Sequence, residues 1–319
     1  MRDRSIQDDS SDLIFNAELA ASALPPTSNK ELSDNEREEH VWYLAYGSNM
    51  NSAVLTGRRK IIPAESIPCV ADGYFLSFDY AGLPYVEPCF ASVIRLSDPT
   101  KRVTREEAEN IHNRTMCNAP FYWDEAHPKL PPTLHGVLHK LTKRQFLRVL
   151  ETEGGAGSGS DTGYLVIEIE CRQYAPIHND SVTKLSSNRV LDNGLKTISA
   201  LTLIGGKRAT RPNLQPSIRY LNILREGARE HGLDPSYIKH LESLRPYGTN
   251  LPLRTRIGRY FLLPALLPAI LLLFIYVLIR RHPRLKLFAA YMLYWLGQTA
   301  WFFHDNLLRF IIGSGVKDV

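Results

Sequence analysis

The sequence predicts an α+β domain on a mostly antiparallel curved sheet or barrel, followed by a hydrophobic tail. Short runs rich in β-branched and aromatic residues recur between positions 42 and 203, with helical patterns intervening, so strands dominate. One such run, Tyr43-Leu44-Ala45-Tyr46-Gly47-Ser48-Asn49-Met50, starts as a strand and breaks on a glycine where a helix should begin. A third observation sets the tail apart: Tyr260 to Ile279 contains no charged residue.

In chain order, residues 1–40 are polar and acidic, with Asp8-Asp9-Ser10-Ser11-Asp12 and no apolar core of signal-peptide length. They read as a disordered leader. Trp42 to Tyr46 reads as the first strand and Asn49 to Thr56 as a short helix that Gly57-Arg58-Arg59-Lys60 ends. Strands follow over 73–78 and 91–94. Residues 97–132 are polar, carry Pro128, Pro131 and Pro132, and read as an insertion with one helix near 104–113. A strand over 135–141 leads to Thr142, a helix N-cap before Phe146, Leu147, Val149 and Leu150 at helical spacing. That helix stops at Glu153-Gly154-Gly155. Further strands are expected at 164–171 and 197–203. Helices are expected at 217–231 and 234–244, the second opened by Asp234-Pro235.

Composition narrows the function classes. The 319 residues are 44% hydrophobic and carry a formal charge of +5. The basic excess is concentrated: residues 250–286 hold six arginines and a lysine with no acid. That placement suits lipid headgroups better than nucleic acid, for which no basic helix with interleaved aromatics is present. Cys69, Cys89, Cys117 and Cys171 form no C-x-x-C pair and read as reduced thiols. His112, His127, His135 and His139 raise the question of a metal. Only His135 and His139 share a strand face, and no third ligand is evident, so no metal site is expected.

The chemistry starts at the broken strand. A strand that turns into a helix on Gly-Ser-Asn leaves N–H groups pointing one way, suited to anionic oxygens. Tyr46-Gly47-Ser48-Asn49, the strand at Gly136-Val137-Leu138, Glu153-Gly154 after a Leu-rich helix and Gly163-Tyr164 opening a strand together resemble the γ-glutamylcyclotransferase family. The resemblance extends to Pro216-Ser217-Ile218-Arg219-Tyr220 and the helix before Gly232-Leu233-Asp234, covering about Val41 to Tyr247. It implies a small mixed β-barrel with flanking helices, an acidic site and no cofactor. The catalytic domain is then 41–248, with the insertion at 97–132 able to remodel the pocket.

Family members convert a γ-glutamyl amide to 5-oxoproline: the α-amine attacks its own γ-carbonyl and expels an amine. Proximity is built into that substrate, so the protein needs a carboxylate to move protons, donors for the oxyanion and an anchor for the α-carboxylate. Glu153 is the candidate carboxylate, at a helix end where the negative dipole pole disfavours a fixed charge. Glu151, two residues away, points elsewhere on a helix. The resemblance also selects Glu153. It makes Tyr43, Leu44, Ala45, Tyr46, Gly47 and Ser48 the cradle of the glutamyl head group, with Gly47 and Ser48 as backbone donors. It adds Tyr220 as a substrate contact, and Tyr164 is a weaker candidate for the wall. The layout is similar to fungal members that trim γ-glutamyl groups from glutathione conjugates in making sulfur-bridged peptides such as gliotoxin. The alternative is a membrane-tethered module that binds γ-glutamyl or carboxylate ligands without turnover.

The tail, 249–319, reads as a transmembrane helix over 260–279 and a second membrane or interfacial helix over 287–303. Arg254, Arg256 and Arg259 precede the span; Arg280, Arg281, Arg284 and Lys286 follow it. With no secretory signal pattern, the expected arrangement is a tail-anchored protein whose catalytic domain faces the cytoplasm.

Overall fold

A computed structural model describes residues 39–97, 102–115, 121–124, 130–153, 163–176, 196–248, 271 and 294–313. Residues 1–38 of the acidic leader and the 260–279 span, Leu271 apart, lie outside the described residues, and His40, the leader's expected last residue, opens the first strand. Six strands build the core: β1 (His40–Ala45), β2 (Glu65–Leu83), β3 (Glu87–Arg95), β4 (Thr133–Thr142), β5 (Tyr164–Gln173) and β6 (Thr197–Gly205). The sheet order is β3-β2-β4-β1-β6-β5, and a further β2–β5 pairing closes β2, β4, β1, β6 and β5 into a ring. All pairings are antiparallel except β1 with β6. This is the mixed barrel with flanking helices that the sequence predicts.

The longest strand departs from expectation. β2 spans 19 residues, although Pro68 and Ala71-Asp72-Gly73 interrupt its apolar alternation. Its first half pairs with β4 (Ser66 opposite His139) and its second half with β3 (Phe75 opposite Ile94). The register shifts between Ala71 and Phe75, where Gly73 has φ 74°. A bulge with a left-handed glycine lets one strand serve both partners.

Helix α1 (Arg105–Thr115) belongs to the insertion. Ile111 packs with Phe75, Ile94 and Leu96, and Arg114 bridges to the buried Asp79 at 2.5 Å. Helix α2 (Lys143–Thr152) follows β4 directly. Thr142 accepts from the Gln145 N–H, and the Gln145 side chain accepts from the Thr142 N–H, a reciprocal capping box. Phe146, Val149 and Leu150 face the barrel. Helix α3 (Ile218–Glu230) buries Tyr220, Leu221, Leu224 and Ala228. Its Gly227 allows close approach: a Cβ there would lie 2.8 Å from the Asn51 nitrogen. Helix α4 (Pro235–Ser243) packs through Tyr237 and Leu241.

The expected helix after β1 takes another form. Ser48–Met50 is a 3₁₀ turn and Ala53–Arg58 a π-type turn, closed by the Arg59 N–H donating to the Val54 carbonyl (3.0 Å). Lys60, with φ 58°, ends it. The wide turn runs through Gly57 and fixes where Arg59 emerges.

The tail also corrects the sequence reading. Helix α5 covers residues 294–312, with a π-type turn at His304–Leu308, and so runs past the expected end at 303. One face docks on the domain. Trp301 is 4% exposed and donates its indole N–H to the Gly82 carbonyl (2.9 Å), while Leu308 and Ile312 pack against Tyr85 and Tyr247. Asp305 pairs with Arg211 at 2.5 Å, and that guanidinium lies over the Trp301 ring. Asp305 and Arg309 lie in the C-terminal part of α5, and residues 287–293 of the expected second helix lie outside the described residues. Among the described residues, no helix is long and apolar enough to cross a membrane.

Candidate active site

The end of β1, the turn after it, the C-terminus of α2 and the first turn of α3 converge on one cleft. Tyr43, Tyr46, Gly47, Ser48, Asn49, Ala91, Glu153, Tyr164, Leu203 and Tyr220 line about 310 Å³ of empty space.

Glu153 is the C-terminal cap of α2, and its side chain is 20% exposed. Two donors meet on one of its oxygens: the Asn49 amide Nδ2 gives a hydrogen bond to Oε1 at 2.9 Å, and the Arg59 guanidinium makes an ion pair with the same atom. The other oxygen, Oε2, has no recorded partner among the described residues. Arg59 offsets the unfavourable helix end that the carboxylate would otherwise face. Arg59 does not line the cleft, so it acts on Glu153 from behind. Glu151 is exposed and lies away from the cleft.

Tyrosines form the walls. The Tyr220 hydroxyl accepts from the Ala91 N–H (3.1 Å), leaving its proton available to the cleft. Tyr164 donates to the Ala91 carbonyl (2.9 Å) and stacks on Tyr80 at 4.0 Å. Tyr46 donates to the Leu203 carbonyl. Burial pushes the phenols of Tyr43, Tyr46, Tyr164 and Tyr220 well above their ordinary range, so they stay neutral.

Of the residues expected in the cradle, Tyr43, Tyr46, Gly47, Ser48 and Tyr220 reach the cleft. Leu44 and Ala45 do not: both are fully buried in the barrel core. Alternation along β1 sends Leu44 to the face opposite Tyr43, and its carbonyl is taken by the Thr202 hydroxyl (2.9 Å). Gly47 has φ −108°, so its role is close approach and not a left-handed turn. A Cβ there would sit 3.2 Å from the Tyr220 hydroxyl. The described part of the insertion lines none of the cleft; it packs on β2 and β3 instead.

Two residues that converge on Glu153 escaped sequence reasoning. Asn49 was visible only as the last letter of a motif. Arg59 sat in a basic run that looks like a helix stop, 94 residues from its partner.

The histidines brace this region. His139 donates from Nε2 to the Asn49 carbonyl (3.2 Å) and accepts at Nδ1 from Ser66 (2.9 Å). Burial, with His231 nearby, holds its pKa down to about 3. His135 meets the Tyr174 hydroxyl at 2.9 Å and stacks on Tyr237, and burial lowers its pKa to about 4. Among the described residues no group of three His, Cys, Asp or Glu is placed to hold a metal. Cys69, Cys89 and Cys171 are buried and form no disulfide among the described residues; Cys117 lies outside them.

Fold and cleft define a small-molecule site equipped for proton transfer. No protein-family model matches the chain. Among curated relatives, it is 28% identical over 284 residues to "Gamma-glutamyl cyclotransferase gliK" of Aspergillus fumigatus, covering 86% of this chain and 89% of that protein. It is 26% identical over 211 residues to "Gamma-glutamyl cyclotransferase aclK" of Aspergillus oryzae, covering 66% of this chain and 63% of that protein. It is 25% identical over 184 residues to "Gamma-glutamyl cyclotransferase verK" of Clonostachys rogersoniana, covering 58% and 83%. The match thus spans less than two thirds of the aclK relative. The chain is similar to curated γ-glutamyl cyclotransferases over most of its length.

Proposed function

We propose that this protein is a γ-glutamyl cyclotransferase in which Glu153 carries the protons. The α-amine of a γ-glutamyl group attacks its own γ-carbonyl, and 5-oxoproline and a free amine leave. The observation that carries this reading is a carboxylate pinned by one oxygen at the edge of a cleft lined by tyrosines and the Gly47-Ser48 turn. Glu153 takes a proton from the α-ammonium through Oε2 and returns one to the departing nitrogen. Tyr220 and the Gly47 and Ser48 N–H groups, which open the 3₁₀ turn and have no partner within it, face the developing oxyanion and the α-carboxylate. Tyr43, Tyr46 and Tyr164 close the walls.

Small γ-glutamyl peptides and bulkier glutathione conjugates of secondary-metabolite biosynthesis are both candidate substrates. The direct test is release of 5-oxoproline by the full chain from a γ-glutamyl dipeptide, glutathione and a glutathione S-conjugate. Binding of these compounds with no 5-oxoproline formed would favour a non-catalytic binding module.

We also propose that the tail anchors the protein in a membrane with the domain on the cytoplasmic side. The uncharged run at 260–279 and its basic flanks support this. So does the outer face of α5, where Trp295, Phe302, Phe303, Phe310 and Ile311 are exposed. Asn113-Arg114-Thr115 matches the N-glycosylation acceptor pattern, but its Thr115 is buried and donates to the Ile111 carbonyl (2.7 Å). The full chain should resist carbonate extraction from membranes, and its recovery without detergent in the soluble fraction would overturn the anchor. Glycan on Asn113 would overturn the orientation.

A further inference from the structure

Helix α5 is apolar on two opposite faces, and the domain accounts for one of them. The inner face, with Trp301, Leu308 and Ile312, is fixed: the Trp301 indole donates to the Gly82 carbonyl (2.9 Å), and Asp305 beside it pairs with Arg211 (2.5 Å). The outer face carries Trp295, Phe302, Phe303, Leu307, Phe310 and Ile311, each between 49% and 67% exposed. Outside the tail, the exposed large apolar side chains among the described residues are Ile62, Val86, Tyr122 and Ile218, on four separate segments. Single exposed apolar residues are ordinary, whereas six along one helix form a patch that marks a contact.

Polar side chains interleaved with this patch are satisfied by the helix itself. The Thr299 hydroxyl donates to the Trp295 carbonyl and the Asn306 amide to the Phe302 carbonyl, both at 2.8 Å. Such bonds lower the cost of leaving water. The charge is one-sided as well. The single acid of α5, Asp305, is taken up by Arg211 and His304. Arg309 is exposed, with its guanidinium 4.7 Å over the Phe310 ring. The stretch of chain that leads toward α5, 250–286, holds six arginines and a lysine with no acid.

We infer that the outer face of α5 docks on an anionic phospholipid bilayer and lies along its interface. Aromatic rings settle at the headgroup level, and arginines beside them meet the lipid anions. The inner contacts set the orientation. A helix pinned to Gly82 and Arg211 offers lipid its outer half alone, so it lies on the bilayer and does not cross it. The inference rests on the reading that this protein is at a membrane, and it adds the lipid class and a second point of attachment. A tether at 260–279 leaves the domain free to turn, whereas α5 in the interface holds it in one orientation.

The test reads tryptophan emission of the full chain in vesicles of two parts phosphatidylcholine to one part phosphatidylserine, with acyl chains brominated near the headgroup or near the methyl end. Phe310→Trp adds a fluorophore at the most exposed position of the face, and Trp295→Phe removes the native one. The emission added by Phe310→Trp should be quenched at least about twofold more strongly by bromine near the headgroup than near the methyl end. Placing the bromine on phosphatidylserine should quench at least about twofold more than placing it on phosphatidylcholine, and high salt should erase that difference. In Trp295→Phe the quenchable share of the native emission should fall.

Emission at 310 that no brominated lipid quenches would overturn the inference; a dimer in that case would assign the face to a second copy, and a monomer to the chain's own tail. Stronger quenching from the methyl end would overturn the interfacial position, and equal quenching by the two lipids would overturn the anionic preference. Carbonate extraction separates this inference from the anchor. Release by carbonate with quenching intact refutes the 260–279 anchor and supports α5 as a peripheral contact, whereas carbonate resistance without quenching refutes the role of α5 alone.

Discussion

Replacing Arg59 with methionine tests the clamp on the carboxylate. The methionine keeps most of the stem and removes the charge. In the structure the Arg59 and Glu153 side chains are 11% and 20% exposed, so their pairing is only partly screened by water. A contact ion pair at an effective dielectric near 20 attracts by about 4 kcal/mol at 4 Å. Breaking a fully buried pair costs about 3–5 kcal/mol. Partial exposure and the retained Asn49 hydrogen bond reduce this to about 2 kcal/mol of stability. The catalytic effect is separate. With one donor left on Oε1, the carboxylate swings, and misplacement of about 1 Å costs up to about 100-fold in rate. We expect kcat for 5-oxoproline release to fall about 10–100-fold while KM changes by less than about threefold, because Arg59 does not line the cleft. Arg59→Lys, or added guanidinium ion on Arg59→Met, should recover part of kcat. The assay is steady-state release of 5-oxoproline, with thermal unfolding as the stability control. A raised KM with unchanged kcat would place Arg59 on the substrate. Unchanged kinetics would mean that the ion pair is structural only.

Two further outcomes follow from the same geometry. Gly47→Val puts a branched side chain 3.2 Å from the Tyr220 hydroxyl and 3.5 Å from the Ala91 Cβ, so KM should rise about tenfold in a folded protein, and unchanged kinetics would make the turn merely structural. His139 and His135 are neutral in the fold, with pKa values near 3 and 4, and protonate at about 6.5 when unfolded. Their folded pKa values are lowered, so the stability they allow is complete above pH 6.5. It is lost as pH falls from 6.5 toward 3, by about 1.4 kcal/mol per pH unit per histidine. Denaturant unfolding at pH 7, 6, 5 and 4 should show this slope, and His139→Gln should flatten it; an identical slope in the variant would refute the origin.

The sequence made the barrel legible wherever local signals agreed with packing. Thr142 and the helical spacing of Phe146, Val149 and Leu150 announced α2, and the helix placed Glu153 by itself. The strands at 164–173 and 197–205 were equally plain, because β-branched alternation and turns bounded them. What stayed hidden depended on contacts between distant segments. β2 was read as six residues because Pro68 and Gly73 break its pattern; in the fold the Pro68 carbonyl takes the Tyr174 N–H (3.0 Å), and the bulge at Gly73 redirects the strand. Closure through Cys69 opposite Gln173 has no local signature. Arg59 lacked one too, since its position depends on a π-type turn. In the tail, hydropathy did not reveal that Trp301, His304, Leu308 and Ile312 recur at helical spacing and dock one face of α5 on the domain.

The account stands most directly on Glu153 as the group that moves the protons. Glu153→Gln keeps the shape of the side chain and its acceptor for Arg59 but cannot exchange a proton. Steady-state 5-oxoproline release by the full chain, with Glu151→Gln measured alongside, is the decisive comparison. The account predicts a loss of about 10²–10⁴ in kcat for Glu153→Gln, with folding intact and Glu151→Gln near wild type. Near-normal turnover in Glu153→Gln, with Glu151→Gln inactive, would contradict it.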